Sequence, residues 1–454
     1  MTASSPRPSP PKEERESRPT FAICLVLTLC AAPLLPAAII GTNPPALPIT
    51  AERIATLTAA QQPAWKKYLE RSDRQLRADQ TFFFNEMKEH GVKQTLIPPE
   101  GRSGSNLSLR QPAKFYGQTE ARRIADIVVS FQTPAGGWSK NLDMTEHQRA
   151  PGERFAHGNV SRYPGNFDND TPRDTHWNYV GTLDNDATTT QLRFLAKVIT
   201  AGGPGHDASY RAAFLRGMDY LFAAQFPNGG WPQVWPLEGG YHDAITYNDD
   251  AMINVLQLLS DVAEGQQEFA FVPQPTCELA AASMKRGIEC ILQTQIVVDG
   301  LRTVWCQQHD PLTLKPTSAR NYEMPAQCGS ESAGVLRFLV GLPDPNPKTI
   351  AAIHAAAAWF EKTKLRDVAF KAVGDEGKQL VPAPGAGPLW ARYYEIGTDR
   401  PVFGDRDKTI HDDVKELSAE RRNGYSWFNE SPKRALEQYV RWKETHPRAK
   451  AEGD

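Results

Sequence analysis

A glycine-rich turn occurs twice in the sequence, each time after a segment whose apolar residues have helical spacing. Gln132-Thr-Pro-Ala-Gly-Gly-Trp138 follows the helix predicted at Glu120–Phe131, and Gln225-Phe-Pro-Asn-Gly-Gly-Trp231 follows the helix predicted at Tyr210–Ala224. A third, degenerate copy after Cys277–Leu292 has the corresponding residues at wider spacing: Gln293, Gly300 and Trp305. One such unit cannot bury its apolar face alone, so the copies must pack against one another.

A second helix with an acidic start follows each turn, and Asp184, Asp249 and Glu331 stand at these starts. We therefore predict an all-α fold, namely an α/α toroid, or incomplete helical barrel, of about three helix-pair repeats with long functional loops. The absence of regular strand alternation in the sequence agrees with this prediction.

Composition limits the function and the number of domains. The chain has 454 residues, of which 40% are hydrophobic, and this is enough for one large or two ordinary globular domains. The net charge of −2 argues against a general nucleic-acid-binding protein. We predict an export signal with a Pro-rich linker at 1–48, an N-terminal helical extension at 49–109 and a catalytic domain at 110–454.

The N-terminal segment resembles an export signal. The apolar run Phe21–Ile40 is close to membrane-spanning length, but Pro33 and Pro36 interrupt it and small residues follow. This pattern favours a cleaved secretory peptide, with an uncleaved anchor as the alternative. We therefore expect a secreted or periplasmic protein without stable membrane contact after cleavage.

Four cysteines remain after removal of this leader: Cys277, Cys290, Cys306 and Cys328. In an exported chain they could form up to two disulfides by any of three pairings, and a bridge between Cys306 and Cys328 would staple the loop that these residues bracket. The sequence has no CxxC motif that would indicate zinc or redox chemistry.

Acids at helix starts have two explanations. Asp184, Asn185 and Asp249 are favoured there by capping and by the helix dipole, which is a purely structural role. If the second helices of the repeats point the same way, however, their N-termini meet at one mouth, and the carboxylates form the kind of oxygen-rich site that Ca²⁺ prefers.

The segment Thr303–Glu331 is the most polar connection of the chain. It carries His309, Lys315 and Arg320 between prolines that stiffen the backbone. Long loops of this kind are usually functional or disordered, so we interpret it as an active-site loop rather than a solvated connector.

Two known families resemble parts of the sequence. The turns resemble the QW repeats of triterpene cyclases, and Asp184–Thr188 distantly resembles their acidic motif. Such a cyclase should be longer and should line its cavity with aromatic residues, whereas these loops carry Lys, Arg, His and Asp.

A closer resemblance, to the pectate lyases of polysaccharide lyase family 10, covers roughly residues 110–445. It is carried by ordered blocks at 132–144, 182–198, 226–252, 303–323 and 389–428. The resemblance implies an α-helical toroid, a polygalacturonate (pectate) substrate with α-1,4 linkages, Ca²⁺ dependence and anti β-elimination. We expect a monomer that binds polygalacturonate and no nucleic acid. An inactive polyuronide-binding relative is a further alternative.

The resemblance also assigns roles to residues. The base that abstracts the C5 proton corresponds to Arg320, and the metal ligands correspond to Asp184 and Asp249. The substrate-binding candidates are Asn185, Arg392, Arg406, Lys315, His309, Lys140 and Trp231. Guanidinium normally stays protonated, so we expect Ca²⁺ and the neighbouring arginines to lower the pKa of Arg320 and to give an alkaline activity optimum. Activity at acidic pH would instead favour Glu323 as the base.

Overall fold

The structure is a computed structural model that describes residues 39–101, 106–157, 177–202, 207–265 and 267–447. These residues belong to one compact unit. No helix within these ranges is long and apolar enough to cross a membrane. The predicted leader Phe21–Ile40 lies almost entirely outside the described residues, so the export signal stays a prediction.

Helices form the main framework of the described chain. They are α1 (Ala51–Ala55), α2 (Gln62–Glu89), α3 (Thr119–Ser130), α4 (Thr189–Gly202), α5 (Ala208–Ala224), α6 (Ala251–Ala263), α7 (Gln274–Thr294), α8 (Gly329–Val340), α9 (Pro347–Lys362), α10 (Ala419–Gly424) and α11 (Ser431–Trp442). The helices predicted before the turns correspond to α3, α5 and α7, with ends shifted by up to three residues.

Short antiparallel strands accompany the helices. They are β1 (Gly41–Thr42), β2 (Ile245–Thr246), β3 (Val297–Val298), β4 (Leu301–Arg302), β5 (Gln308–His309), β6 (Gln327–Cys328), β7 (Val368–Ala372), β8 (Lys378–Pro382), β9 (Trp390–Ala391), β10 (Tyr393–Tyr394), β11 (Phe403–Gly404), β12 (Thr409–His411) and β13 (Phe428–Asn429). The strand orders are β1-β12-β11, β10-β6, β13-β9, β2-β5, β3-β4 and β7-β8.

The prediction of an all-α toroid is therefore wrong, and the fold is mixed α/β. Most of these strands are two residues long, so no apolar alternation can develop that the sequence would reveal. Several arise because loops distant in sequence pair with one another, as Ile245 does with His309, whereas β3–β4, β7–β8 and β11–β12 pair locally. Their backbone groups are satisfied by this pairing rather than by helices.

The tryptophan of each turn bonds back to the helix that precedes it. The indole Nε1 of Trp138 donates to the Val128 carbonyl at 2.7 Å, and that of Trp231 donates to Leu221 at 2.9 Å. Trp305 donates in the same way to the carbonyl of Ile291, at 2.7 Å. All three indoles are fully buried, so the repeated tryptophan fixes the direction in which the chain leaves the helix.

The glutamine of each turn joins two neighbouring helices. Gln132 Nε2 donates to the carbonyls of Gly136 and Ala213, at 2.7 and 2.8 Å, and Gln225 makes the equivalent pair of bonds to Gly229 and Ser283. In the third copy this role belongs to Gln295, which donates to the Thr303 and Ala352 carbonyls. The prediction of Gln293 for this position is wrong by two residues, since Gln293 is exposed.

Glycine is required at the first of the two turn positions. Gly136 and Gly229 have φ angles of 105° and 94°. A Cβ atom on Gly136 would lie 2.4 Å from the Arg216 carbonyl oxygen, and one on Gly229 would lie 2.1 Å from that of Arg286. The turn therefore presses directly on the next helix, and no other residue type fits.

The N-terminal helix α2 packs into the main core. Trp65 and Tyr68 are buried in the same apolar cluster as the helices of the repeats. The Tyr68 hydroxyl donates to the carbonyl of Ala224, at the end of α5, at 2.9 Å. The described part of 49–109 thus lies in the same compact unit as the body, and the domain boundary at residue 109 stays a prediction.

Asp79 on α2 is fully buried, and its carboxyl group accepts a 2.6 Å hydrogen bond from Gln75. Burial raises the pKa of Asp79 from 3.8 to about 7. The folded protein therefore keeps this proton up to about pH 7, whereas the unfolded chain loses it near pH 4. The protonated Asp79 carboxyl group therefore makes its full contribution to the free energy of unfolding at about pH 4. This contribution is lost as the pH rises through 7.

We predict that Asp79→Asn is more stable than the wild type at pH 8, because an amide has no charge to bury. The difference in unfolding free energy between the variant and the wild type should increase by up to about 4 kcal/mol from pH 4 to pH 8. Urea unfolding at both pH values measures this change. Asp73→Asn, at an exposed position of the same helix, is the matched control. A stability difference for Asp79→Asn that is equal at the two pH values would contradict the prediction.

Candidate active site

Two short 3₁₀ turns bring the acids of the first two repeats together. The turn Asp184–Asp186 precedes α4, the turn Asn248–Asp250 precedes α6, and the two turns contact each other. Asn185 and Asp249 have φ angles of 51° and 50°, in the left-handed region. Asn and Asp tolerate this region better than other non-glycine residues, which explains their presence in both turns.

A polar cavity of about 200 Å³ lies at the meeting point of these turns. The predicted site residues that line it come from four separate segments: Lys140, Asp184, Asn185, Asp249 and Arg320. The structure thus brings together five of the ten residues that the sequence singled out. Glu323, the alternative base, lines the same cavity.

Asp184 forms a buried ion pair with Lys140 in this cavity, and the Lys140 ammonium also lies 3.9 Å from the centre of the Tyr179 ring. Burial opposes the ionisation of Asp184, but Lys140 and the more distant Arg320 outweigh it and hold the pKa of Asp184 below its ordinary value. Desolvation and the charge of Asp184 raise the pKa of Asp249 to about 6. The pair therefore presents one firmly ionised carboxylate and one that titrates.

Arg320 is held by Glu323. Its Nε donates to Glu323 Oε2 at 3.0 Å and its terminal nitrogen donates to Oε1 at 2.6 Å, a two-point ion pair. The Arg320 side chain is 32% exposed, whereas Glu323 is 2% exposed. Both side chains line the cavity, and the guanidinium is the more accessible of the two.

This ion pair sets both pKa values. Burial opposes the ionisation of Glu323, but Arg320 lowers the pKa of Glu323 to about 2. Burial also opposes the charged form of Arg320, but Glu323 outweighs it and raises the pKa of Arg320 well above its ordinary value. The expected lowering of the Arg320 pKa is thus wrong in this structure, because its nearest charged neighbour is a carboxylate rather than another arginine.

A second cavity, of about 320 Å³, adjoins the first, and Asp249 lines both. It contains Arg392, whose terminal nitrogen donates to Glu331 at 2.5 Å and to Asn248 at 3.0 Å. Arg337 lines it too, in a longer 3.4 Å contact with Asp250. Both cavities, which together are called the cleft below, carry positive side chains.

The remaining predicted residues lie outside both cavities. Trp231 is fully buried by the turn described above, and Lys315 is exposed on the loop. His309 is fully buried, with its ring nitrogens bonded to the Leu314 carbonyl and the Cys306 amide, and burial lowers the pKa of His309 to about 4. Arg406 forms an ion pair with Glu420 at 2.9 Å.

Sequence reasoning missed several residues that line the cleft: Tyr179, Gln233, Tyr241, Asn248, Gln307, Gln308 and Arg337. Gln307 and Gln308 are in the loop that was singled out, and Gln233 follows the second glycine-rich turn by two residues. Their position next to these motifs could have identified the three glutamines as candidate site residues. Arg337 gave no signal, because an arginine inside an amphipathic helix resembles any solvated position.

The four cysteines after the leader are free thiols in the structure, so none of the predicted disulfides is formed. Within the described ranges, no group of three or more His, Cys, Asp or Glu side chains is arranged to hold a metal ion. A metal bound at Asp184 and Asp249 would therefore need further oxygen ligands beyond these two carboxylates.

Comparison with known proteins identifies the family. Residues 132–436 match the family model described as pectic acid lyase. The chain belongs to the pectic acid lyase family. A solved family 10 polysaccharide lyase from Cellvibrio cellulosa is 32% identical, with a TM-score of 0.61, and the match covers 75% of this chain and 99% of that one.

A mutant of the family 10 polysaccharide lyase from Cellvibrio cellulosa, in complex with trigalacturonic acid, is also 32% identical. Its TM-score is 0.60, and the match covers 73% of this chain and 97% of that one. A search of curated proteins found no match. The chain is thus a polysaccharide lyase of the pectic acid lyase family, and the interpretation as a triterpene cyclase is wrong.

Proposed function

We propose that this lyase cleaves α-1,4-linked polygalacturonate by Ca²⁺-assisted anti β-elimination, with Arg320 as the base. The observation that carries the proposal is the 200 Å³ cavity in which the Arg320 guanidinium and the carboxylates of Asp184 and Asp249 meet. The bound trigalacturonic acid of the Cellvibrio relative supports a galacturonate substrate.

The charge of the cleft suits a polyuronide. Each sugar of the substrate carries a carboxylate, and Arg392 and Arg337 in the second cavity are positioned to bind such groups. Asn185 and Lys140 offer a further donor set in the first cavity. We propose that Arg406, His309, Lys315 and Trp231 contribute less, because they line neither cavity.

The donor set near Asp184 fits Ca²⁺. Carboxylate and amide oxygens of Asp184, Asp249 and Asn185 are the hard ligands that Ca²⁺ prefers. The buried Oδ1 atom of Asp184 accepts no hydrogen bond within 3.5 Å from the described residues. A bound Ca²⁺ would neutralise the C6 carboxylate of the substrate and so acidify the C5 proton. Two carboxylates leave room for a substrate carboxylate among the ligands.

The elimination breaks the C5–H and C4–O4 bonds and forms the C4=C5 double bond. The neutral guanidine of Arg320 takes the C5 proton, and the electrons of the C5–H bond form the C4=C5 double bond. The O4 oxygen leaves with the electrons of the C4–O4 bond and takes a proton from water. Glu323 fixes the guanidine in the orientation required for this attack.

Incubation with polygalacturonate and Ca²⁺ tests the proposal, because the unsaturated uronide product absorbs in the ultraviolet. A rise in absorbance that a chelator abolishes is the expected result. Binding of polygalacturonate without any rise would mean an inactive binding relative and would overturn the proposal. We further propose that the enzyme acts as a secreted or periplasmic monomer after removal of its leader.

We predict that activity rises with pH and is maximal in the alkaline range. The reactive form of Arg320 is the neutral one, and the ion pair with Glu323 raises the pKa of Arg320, so this form is scarce at neutral pH. Initial rates measured at constant ionic strength and saturating Ca²⁺ check this dependence. A maximum below about pH 6 would contradict Arg320 as the base and favour a carboxylate.

A further inference from the structure

Different parts of the Tyr425 side chain connect it to two arginines of the cleft, to Arg320 through Glu323 and to Arg392 directly. Its hydroxyl donates to Glu323 Oε1 at 2.7 Å, on the carboxylate that holds Arg320. Its ring centre lies 4.7 Å from the guanidinium carbon of Arg392. Tyr425 itself lines neither cavity, so any influence on substrate must pass through these two arginines.

The hydroxyl of Tyr425 belongs to a chain of buried polar groups. The hydroxyl of Tyr393 donates to Gln307 Oε1 at 2.6 Å and lies 2.7 Å from the hydroxyl of Tyr425. Each phenol has one proton to donate, and that of Tyr425 goes to Glu323 while that of Tyr393 goes to Gln307. The bond from Tyr425 favours one orientation of the Glu323 carboxylate.

The ring of Tyr425 is fixed independently of its hydroxyl. It packs against Trp427, with ring centres 4.7 Å apart, and against Tyr322 at 5.2 Å. Arg392 lies over this fixed ring and is paired with Glu331 on its other side. A cation held over an aromatic face loses much of its freedom before substrate arrives.

We propose that Tyr425 is a positioning residue with two separable actions, in which its hydroxyl orients Arg320 through Glu323 and its ring orients Arg392. The inference rests on the proposed function. Because Arg320 acts on the reacting atom, loss of the hydroxyl affects turnover. Because Arg392 binds a substrate carboxylate away from the reacting atom, loss of the ring affects binding.

The test compares steady-state kinetics of four variants on polygalacturonate with Ca²⁺. Tyr425→Phe should lower kcat about tenfold and leave KM within about twofold, and Tyr425→Leu should in addition raise KM about fivefold. Tyr393→Phe removes the hydroxyl next to that of Tyr425 and should lower kcat by about threefold. Tyr68→Phe, which removes a buried hydroxyl bonded to Ala224, is the matched control and should leave both constants unchanged.

Thermal melting of each variant checks that the fold is kept. If Tyr425→Phe does not fold, the kcat of Tyr393→Phe decides whether the buried hydroxyl groups affect turnover. Wild-type kcat in the folded hydroxyl variant, or equal KM values for Tyr425→Phe and Tyr425→Leu, would overturn the inference while the wild type remains an active lyase. A wild type without lyase activity would overturn the proposed function, and this inference with it.

Discussion

Arg320→Ala should lower kcat by about 10³-fold on polygalacturonate, within the range expected for loss of a general base. The affinity for trigalacturonate should change only a few-fold, because Arg392, Arg337 and Lys140 remain in the cleft. Absorbance of the unsaturated product gives kcat, and titration calorimetry gives the affinity. Near-wild-type turnover would remove Arg320 as the base.

The single substitution also leaves the Glu323 carboxylate buried without its partner. Breaking a buried pair in this way costs about 3–5 kcal/mol of stability, and this could lower activity for an unrelated reason. The double variant Arg320→Met with Glu323→Gln removes both charges and keeps similar volumes, so its activity can be measured in a folded protein. Arg400→Ala, an exposed arginine paired with Glu395 and Asp412, is the matched control.

Removal of Ca²⁺ should abolish activity, and Asp184→Ala should raise the Ca²⁺ concentration that gives half-maximal activity by about 100-fold. The expected size follows from the loss of one of the two carboxylates proposed as ligands. Titration of Ca²⁺ into the chelated enzyme, with product absorbance as readout, measures the shift.

Asp186→Ala is the control for this prediction. Asp186 belongs to the same 3₁₀ turn, but its Oδ1 atom accepts a hydrogen bond from Asn254 and the residue lines neither cavity. The Asp186→Ala variant should need the same Ca²⁺ concentration for half-maximal activity as the wild type. If Asp184→Ala and Asp186→Ala show the same requirement, the assignment of Asp184 as a ligand fails. Activity that persists in excess chelator would contradict the Ca²⁺ dependence itself.

Much of the cleft could be predicted from the sequence because its residues sit next to repeated local motifs. Asp184 and Asp249 begin helices, and Arg320 lies in a loop of unusual polarity. Helix starts and loop composition are encoded within a few residues, and packing of the repeats then brings the starts together. His309 and Trp231 show the limit of this reasoning, since residue type alone did not reveal that both are buried.

The strands could not be predicted from the sequence, for a related reason. Most are only two residues long, which is too short to carry a pattern, and several form only where a distant loop supplies a partner, as Ile410 does for Gly41. Asn43, in a segment expected to be a linker, donates to the backbone carbonyls of Arg320 and Asn321 at 3.0 and 2.8 Å. The N-terminal segment thus supports the active-site loop, a contact that spans 277 residues.

The sequence by itself determined the repeated helix–turn unit, the family and the main chemical groups of the cleft, because these depend on short-range spacing and on ordered blocks of residues. Only the tertiary structure decided the mixed α/β architecture and the partners of the charged groups. Glu323 lies three residues from Arg320, but Tyr425, which holds it, is 102 residues away. Contacts between residues so far apart in the sequence produce no periodic pattern in a single sequence. They nevertheless set the pKa and the orientation of the groups that act on substrate.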